Sequence, residues 1–131
     1  MPYKGQPVPT TVHHSYRAKV SDGKSVRVPV PEKTKIESQK LYLLSGYFGA
    51  ATESVTTGAG ETSELILTIE QAEYETDQID KTQAFEVGIT VYWDGTKSQL
   101  TETDTGNRLV GRVSAAKDAS NVIWFILGPQ V

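Results

Sequence analysis

Apolar side chains recur at every second position along much of this chain, and this alternation constrains the fold more than any other feature. Valines occupy alternate positions of Val26–Val30, and leucine and isoleucine do the same in residues 64–70. Period two is the signature of a β-strand with one buried face. Turn signals such as Asp94-Gly95 and Thr105-Gly106-Asn107 separate the segments about every ten residues. The pattern predicts an all-β fold, a compact barrel or sandwich of short strands.

Two further parts of the sequence predict strands, one a pair joined by a tight turn and the other a strand buried on both faces. Lys40 to Leu44 and Tyr47 to Ala51 flank Ser45-Gly46, which predicts two strands around a tight corner. The apolar run from Asn121 to Leu127 does not alternate, so we expect both of its faces to be covered. It is either the central strand of the core or a strand with one face in a subunit interface.

Prolines place one strand at the margin of a sheet. Pro29 and Pro31 follow the alternating valines, and neither can donate a hydrogen bond to a neighbouring strand. We therefore expect this strand at an edge, or with its prolines directed toward solvent.

The middle of the chain supplies the linking segments. Residues 51–63, rich in Thr, Gly and Ser, predict a loop, and residues 72–75 are expected to pair with the strand at 64–70. Thr76 to Gln83 is the best candidate for a helical turn, because Thr76 or Asp77 can cap its N–H groups. At most one short helix is expected in the whole chain.

The first twenty residues differ from the rest. Pro2, Pro7 and Pro9 favour extended backbone, and the few apolar side chains cannot form a core. We divide the chain into an extended N-terminal arm at 1–20 and a β-rich domain at 21–131. Such an arm needs a surface on which to dock.

Composition excludes several classes of protein. The 131 residues contain no cysteine, which rules out disulfides, thiolate metal sites and a cysteine nucleophile. No apolar run approaches the roughly 20 residues that cross a bilayer, and the polar N-terminus lacks a signal-peptide core. We expect a soluble protein made in a cytoplasm, without contact to a membrane.

Charge is unevenly distributed along the chain. The net charge is −3, yet residues 1–50 carry eight basic and three acidic residues, and residues 51–86 carry one basic and nine acidic residues. The acidic segment argues against nucleic acid as a partner. The segregation also suits subunits that pack head to tail, or a basic arm that binds an acidic neighbour.

No group of residues predicts catalysis, a metal or a cofactor. His13 and His14 are adjacent, so they point to opposite sides of an extended arm and cannot chelate one metal. Ser21 and Lys24 have the spacing of an acyl-enzyme motif, but they lie at a predicted turn instead of a helix. Gly58-Ala59-Gly60 lacks the flanking residues of a phosphate-binding loop.

Aromatic residues near the C-terminus leave two interpretations open. Tyr92, Trp93, Trp124 and Phe125 lie among apolar neighbours, which favours a core or a subunit interface. A groove that stacks sugars or single-stranded nucleic acid on these rings is the alternative.

The order of several motifs resembles a known family. The strand and turn of residues 85–95 precede Asn107-Arg108-Leu109-Val110-Gly111 and a closing strand at 122–127, and residues 43–51 contribute a strand and glycine corner. This arrangement is similar to that of tailed-phage capsid decoration, or cement, proteins of the DUF2190-like family. The resemblance covers residues 40–127.

The resemblance implies a structural, non-enzymatic protein. Such a protein binds the outer surface of the phage head, clamps neighbouring capsomers and is often a homotrimer. It implies the major capsid protein as partner, synthesis in the host cytoplasm, and no cofactor. The arm is the expected capsid-binding segment through Tyr3, Lys4, Pro7, Val8, Val12, Tyr16 and Arg17, and Tyr92, Trp93, Trp124 and Phe125 are expected in the core or trimer interface. A tail or neck component and a monomeric β-barrel binding module remain the alternatives.

Overall fold

A computed structural model describes residues 17–131, which form an all-β fold. Within these residues no helix is present that is long and apolar enough to span a membrane. The eleven strands are β1 (Ser25–Val30), β2 (Lys35–Ile36), β3 (Leu41–Leu44), β4 (Tyr47–Ala51), β5 (Val55–Thr56), β6 (Ser63–Thr68), β7 (Glu73–Thr76), β8 (Thr90–Asp94), β9 (Gln99–Thr101), β10 (Arg108–Ala115) and β11 (Ile123–Leu127).

The strands form two larger sheets and one small ribbon. The four-stranded sheet has the order β1-β6-β4-β3, the five-stranded sheet has the order β7-β11-β10-β8-β9, and β2 pairs with β5. All strand pairs are antiparallel. The predicted all-β architecture is confirmed.

The tight corner between β3 and β4 is a two-residue hairpin turn. Leu44 pairs with Tyr47, and the two residues between them have positive φ angles, 50° at Ser45 and 85° at Gly46. Positive φ at both positions is the geometry of a type I′ turn, which matches the twist of the flanking strands. Gly46 adopts this conformation without the steric cost of a Cβ.

Strand β1 lies at an edge of its sheet, as its prolines predict. The N–H of Ile69 donates to the carbonyl of Lys24 at 3.0 Å, which sets the alternation of hydrogen bonds along the β1–β6 pair. Lys24, Val26 and Val28 therefore direct their backbone groups toward β6. Pro29 falls on the outward side, where its missing N–H breaks no ladder bond.

Two hydrophobic cores share strand β4. Phe48 and Ala50 face a core between the two sheets, whereas Ala51 faces a second core with Val28 and Leu67. The second core also contains Val30, Ile36 and Leu65. Because side chains alternate along a strand, β4 joins both cores and is covered on both faces.

Two glutamine side chains complete the sheet edges at β3 and β4. The amide of Gln78 accepts from the N–H of Leu41 at 2.8 Å and donates to the Leu41 carbonyl at 3.1 Å. Gln130 makes the same pair of bonds with Phe48, at 2.9 and 3.0 Å. Arg108 donates to the Gln130 side chain and to the carbonyl of Gly46. Each side-chain amide thus replaces one residue of a missing strand.

The helical turn predicted for Thr76 to Gln83 is wrong. Thr76 ends β7, and Ile79 forms a parallel bridge with Leu100. The N–H of Leu100 donates to the Gln78 carbonyl at 2.7 Å, and the N–H of Asp80 donates to the Leu100 carbonyl at 2.9 Å. Burial of Ile79 in the main core outweighs the local capping signal.

Two expectations for the linking segments are also wrong. Residues 73–76 pair with β11 instead of with the strand at 64–70, because residues 69–72 cross from one sheet to the other. The predicted loop at 51–63 contains the short strand β5, which pairs with β2 and covers the second core through Val55.

The charge segregation along the chain is neutralised in space along β1 and β6. Antiparallel pairing brings Lys24 to within 3.5 Å of Glu70 and Arg27 to within 3.8 Å of Glu64. These pairs are exposed, so each contributes at most about 1 kcal/mol to stability. The basic half of the domain is therefore a weaker source of long-range attraction than the sequence predicts.

Close approach of β10 and β11 requires glycine at position 111. A Cβ at Gly111 would overlap the backbone carbonyl oxygen of Ile126, whereas a Cβ at Gly95 would meet no atom within 4 Å. We expect Gly111→Ala to lower the free energy of unfolding by about 2–4 kcal/mol. Gly95→Ala is the control and should change it by less than about 0.5 kcal/mol. Urea denaturation measures both, and equal effects would contradict the close approach.

The environment of Tyr74 is expected to make the free energy of unfolding depend on pH in the alkaline range. Burial, together with the nearby carboxylate of Glu70, raises the pKa of Tyr74 to about 12, and its hydroxyl donates to the Glu70 carbonyl at 2.7 Å. In the unfolded chain a tyrosine titrates near pH 10, so above that pH only the unfolded state loses the proton readily. The contribution of Tyr74 is therefore fully present below about pH 10 and is lost as the pH rises toward 12.

Comparison with Tyr74→Phe isolates this contribution from that of the other tyrosines. The stability advantage of the wild-type chain over Tyr74→Phe in urea denaturation should shrink as the pH rises above about 10. An advantage that stays constant across this range would contradict the raised pKa.

Candidate contact surface

The four aromatic residues fall into two groups according to the face of the sheet to which each side chain points. Trp93 and Phe125 point into the main core and are buried, whereas Tyr92 and Trp124 point to the opposite, outer face of the five-stranded sheet. Residues 17–131 cover only one face of the strand at 121–127, so of the two alternatives the central core strand is wrong and the subunit interface stays a prediction. Its side chains alternate between buried and exposed, because no second layer formed by residues 17–131 packs on the outer face of the sheet.

The inward aromatic residues pack as core side chains. The rings of Trp93 and Phe48 lie 5.0 Å apart at an angle of 58°, and those of Phe125 and Tyr74 are stacked at 5.6 Å. Trp93 is 4% exposed and Phe125 is fully buried. Neither ring can form a stacking platform for a sugar or a base.

The outward residues form a continuous surface that we call the Trp124 face. It consists of Tyr92, Leu109, Arg112, Trp124 and Ile126, which lie on the three neighbouring strands β8, β10 and β11. Arg112 pairs with Ile126, and Leu109 pairs with Tyr92. The exposed fractions are 60% for Leu109, 45% for Trp124 and 44% for Ile126. Large apolar side chains concentrated on one sheet face are typical of a protein contact site.

Hydrogen bonds hold the polar groups around the Trp124 face in place. The indole N–H of Trp124 donates to Glu75 Oε2 at 3.0 Å, and the Ser114 hydroxyl donates to Glu73 Oε2 at 2.6 Å. The guanidinium of Arg112 donates to the carbonyl of Gly88 at 2.7 Å. Side chains that are already ordered lose less conformational entropy when a partner binds.

An open depression of about 590 Å³ adjoins the Trp124 face at one end of the sheet. Leu109, Ile126 and Pro129 line it, and Arg112 and Gln71 stand at its polar side. The depression is shallow and mostly apolar, so it fits a protruding side chain of a protein partner better than a charged small molecule.

The electrostatics of the domain do not point to acid–base chemistry. The pKa of Glu37 is lowered by a hydrogen bond with Lys40, and that of Asp80 is lowered by hydrogen bonds from Thr82. Both carboxyl groups are exposed and are held as stable anions. Among residues 17–131 no three His, Cys, Asp or Glu side chains cluster in a way that could hold a metal ion.

The remaining candidates from the sequence are placed apart from one another. Ser21 accepts a hydrogen bond from the N–H of Gly23, while Lys24 binds Glu70, so the acyl-enzyme spacing forms no site. Arg17 is exposed. The other expected capsid-binding residues of the arm, Tyr3, Lys4, Pro7, Val8, Val12 and Tyr16, lie outside the described residues, as do His13 and His14.

Comparison with protein-family models identifies the chain. Residues 20–128 match the model of the phage cement proteins. The chain belongs to the phage cement protein family. It is therefore a structural protein of a phage virion, and the family resemblance found in the sequence is confirmed.

The chain was also compared with curated protein sequences and with solved structures. No curated protein sequence matches the chain. Among solved structures, the chain is similar to the head fiber gp8.5 N base of bacteriophage phi29, with 12% identity, a TM-score of 0.49, and coverage of 79% of this chain and 94% of that chain.

Family membership agrees with the absence of a catalytic constellation in the part of the chain that the structure describes, and it argues against an enzymatic role. A cement protein binds the capsid, so exposed surface residues are the candidates for its function. Sequence reasoning named Tyr92 and Trp124 but missed Leu109, Arg112 and Ile126. These three residues could not be assigned to one surface from the sequence, because the bulges of β10 change which of its side chains point outward.

Neighbouring residues Trp124 and Phe125 test the assignment of the two faces. We expect Phe125→Ala to lower the free energy of unfolding by about 3–5 kcal/mol, because it leaves a cavity in the main core. Trp124→Ala should lower it by less than about 1.5 kcal/mol, since half of this side chain is already exposed. Chemical denaturation of both variants measures the difference, and a larger effect at Trp124 would reverse the two faces.

Proposed function

We propose that this chain is a cement protein of the phage head that binds the outer capsid surface as a homotrimer and clamps neighbouring capsomers. The observation that carries the proposal is the Trp124 face. Three large apolar side chains lie exposed on a sheet whose opposite face is fully packed. Family membership supplies the partner class, since a phage cement protein acts on the capsid.

The interior of the domain supports a role in contact and not in chemistry. Within residues 17–131 every buried polar side-chain atom has a hydrogen-bond partner. No polar group in this part of the chain is left to orient a small ligand in the core. What the domain offers to other molecules is its surface.

Burial of the Trp124 face supplies a modest free energy for each contact. Full burial of one large apolar side chain is worth about 1.5–3 kcal/mol, and these side chains are already partly buried. A trimer multiplies such contacts, because after the first subunit binds the others bind as intramolecular events. Many weak contacts can then hold a shell against internal pressure.

The N-terminal arm is proposed as a second anchor. Residues 17–23 are exposed along their whole length, with Val20 98% exposed, so the chain leaves the domain without packing on it. Tyr3, Lys4, Pro7, Val8, Val12, Tyr16 and Arg17 are the arm residues proposed to reach the capsid.

Co-sedimentation with expanded capsids of the phage that encodes the chain tests this proposal. We expect the full chain to bind saturably, and removal of residues 1–20 to weaken binding strongly. Ile126→Ser should also weaken binding, because it places a polar side chain on the Trp124 face next to Arg112. Ile66→Ser is the matched control, since Ile66 is similarly exposed on the other sheet.

The outcomes discriminate between the candidate roles. No sedimentation of the folded full chain with heads would contradict the cement role, and binding to tails or necks instead would assign it there. Equal binding by Ile126→Ser and Ile66→Ser would remove the Trp124 face from the contact surface.

A further inference from the structure

We propose that the outer edge of β7 receives an additional strand, and that residues 10–16 of a second copy of this chain supply it. This inference goes beyond the capsid contact proposed above. It transfers Val12 and Tyr16 from the proposed capsid contact to a contact between subunits, and leaves residues 1–9 and Arg17 for the capsid.

Three of the four edges of the two larger sheets are interrupted by a proline or partly closed by described residues. Pro29 interrupts the outward backbone of β1, and Pro31 follows it. The Gln78 amide occupies both backbone groups of Leu41 on β3. On β9, Leu100 is bonded on its outer side by Gln78 and Asp80. Proteins commonly block sheet edges in these ways to prevent unwanted pairing.

At the fourth edge, β7, the outward backbone groups meet neither a proline nor a side-chain amide among residues 17–131, and the edge is marked only by its short length and by the charges of Glu73 and Glu75. The N–H of Leu127 donates to the Ala72 carbonyl at 3.0 Å, which sets the alternation along the β7–β11 pair. Tyr74 and Thr76 therefore bond to β11, while Glu73 and Glu75 direct their N–H and carbonyl groups outward. These four backbone groups match those that an added strand requires.

A cleft beside β7 provides room for side chains of the added strand. It has a volume of about 340 Å³ and lies between β7 and the four-stranded sheet. Leu41, Ala50 and Tyr74 contribute its apolar wall. An incoming strand could therefore bury apolar side chains on one face while its backbone bonds to β7.

Charge favours the arm as the occupant. The edge carries Glu73 and Glu75, with Glu70 and Asp77 on either side. Residues 1–20 contain three basic residues and no acidic residue. Residues 10–16 carry no acidic side chain to oppose this edge, and Arg17 directly follows them.

Residues 10–16 have the composition of a strand. The sequence Thr-Thr-Val-His-His-Ser-Tyr contains no proline and includes three β-branched residues and one aromatic residue, which favour extended pairing. The prolines at positions 2, 7 and 9 all precede it. Only this part of the arm can donate a full set of backbone hydrogen bonds to β7.

The exposed course of the chain permits the arm to dock on a second copy, which is the occupant proposed. Residues 17–23 make no packed contact with their own domain and can span at most about 25 Å. Their only ion pair, among described residues, joins Lys19 to Asp22 within the segment itself. A link that leaves its own domain in this way suits exchange of arms between subunits.

Disulfide cross-linking tests the proposal cleanly, because the natural chain has no cysteine. One variant carries Glu75→Cys at the β7 edge. Four others carry a single cysteine in the arm, at Thr11, Val12, His13 or His14. Each arm variant is mixed with Glu75→Cys under oxidising conditions, without capsids, and the products are separated by size.

We expect disulfide-linked dimers that contain one chain of each variant, with high yield at alternate arm positions. Period two is expected because neighbouring residues of a strand point to opposite faces. Arg27→Cys is the control at an edge interrupted by proline, and it should give no alternation. A second measurement is the mass of the complex in solution, which should fall when residues 1–16 are removed.

Three results would overturn the inference. One is the absence of mixed dimers while a further variant, which carries both Glu75→Cys and an arm cysteine, cross-links within its own chain; this would assign the arm to its own domain. Another is equal yield at all four arm positions or at Arg27→Cys. The third is an unchanged mass after removal of residues 1–16. Because no capsid is present, none of these results depends on whether the chain binds the phage head.

Discussion

Strand β4 is the element on which the rest of the structure depends, because it is the only described strand that contributes buried side chains to both cores. Phe48 packs against Trp93 in the main core, while Ala51 faces the core of the four-stranded sheet. Gly49 allows β4 to approach Thr68 of β6 more closely than any residue with a Cβ could. A short strand with small side chains therefore joins the two sheets without an intervening helix.

This arrangement leaves the five-stranded sheet with one face free. The inner face is occupied by β4 and its neighbours, and no further layer exists within residues 17–131 to cover the outer face. Trp124 and Ile126 are exposed for this reason and not because the sheet is poorly packed. This outer face is the surface proposed above to contact the capsid.

Local sequence patterns predicted the strands well and their partners poorly. Alternation at Val26–Val30 and at residues 64–70 located β1 and β6, and Ser45-Gly46 located the hairpin. The choice of β11 as the partner of β7 could not be predicted, because it depends on packing across almost fifty residues of sequence. The sequence also could not show which side chains of the apolar run at 122–127 are buried. Trp124 and Phe125 are both large and aromatic, and only the face of the sheet to which each points decides its burial. The contacts of Gln78 with Leu41 and of Gln130 with Phe48 span 37 and 82 residues, and no local signal announces them.

The central proposal is that this domain is mounted on the outside of the phage head. Cryo-electron microscopy of heads from the phage that encodes the chain, compared with heads from phage lacking its gene, tests this most directly. We expect density of the size of this β domain on the outer surface at local symmetry axes, present in the first sample and absent from the second. Identical head surfaces in the two samples, or a difference confined to the tail or neck, would contradict the account.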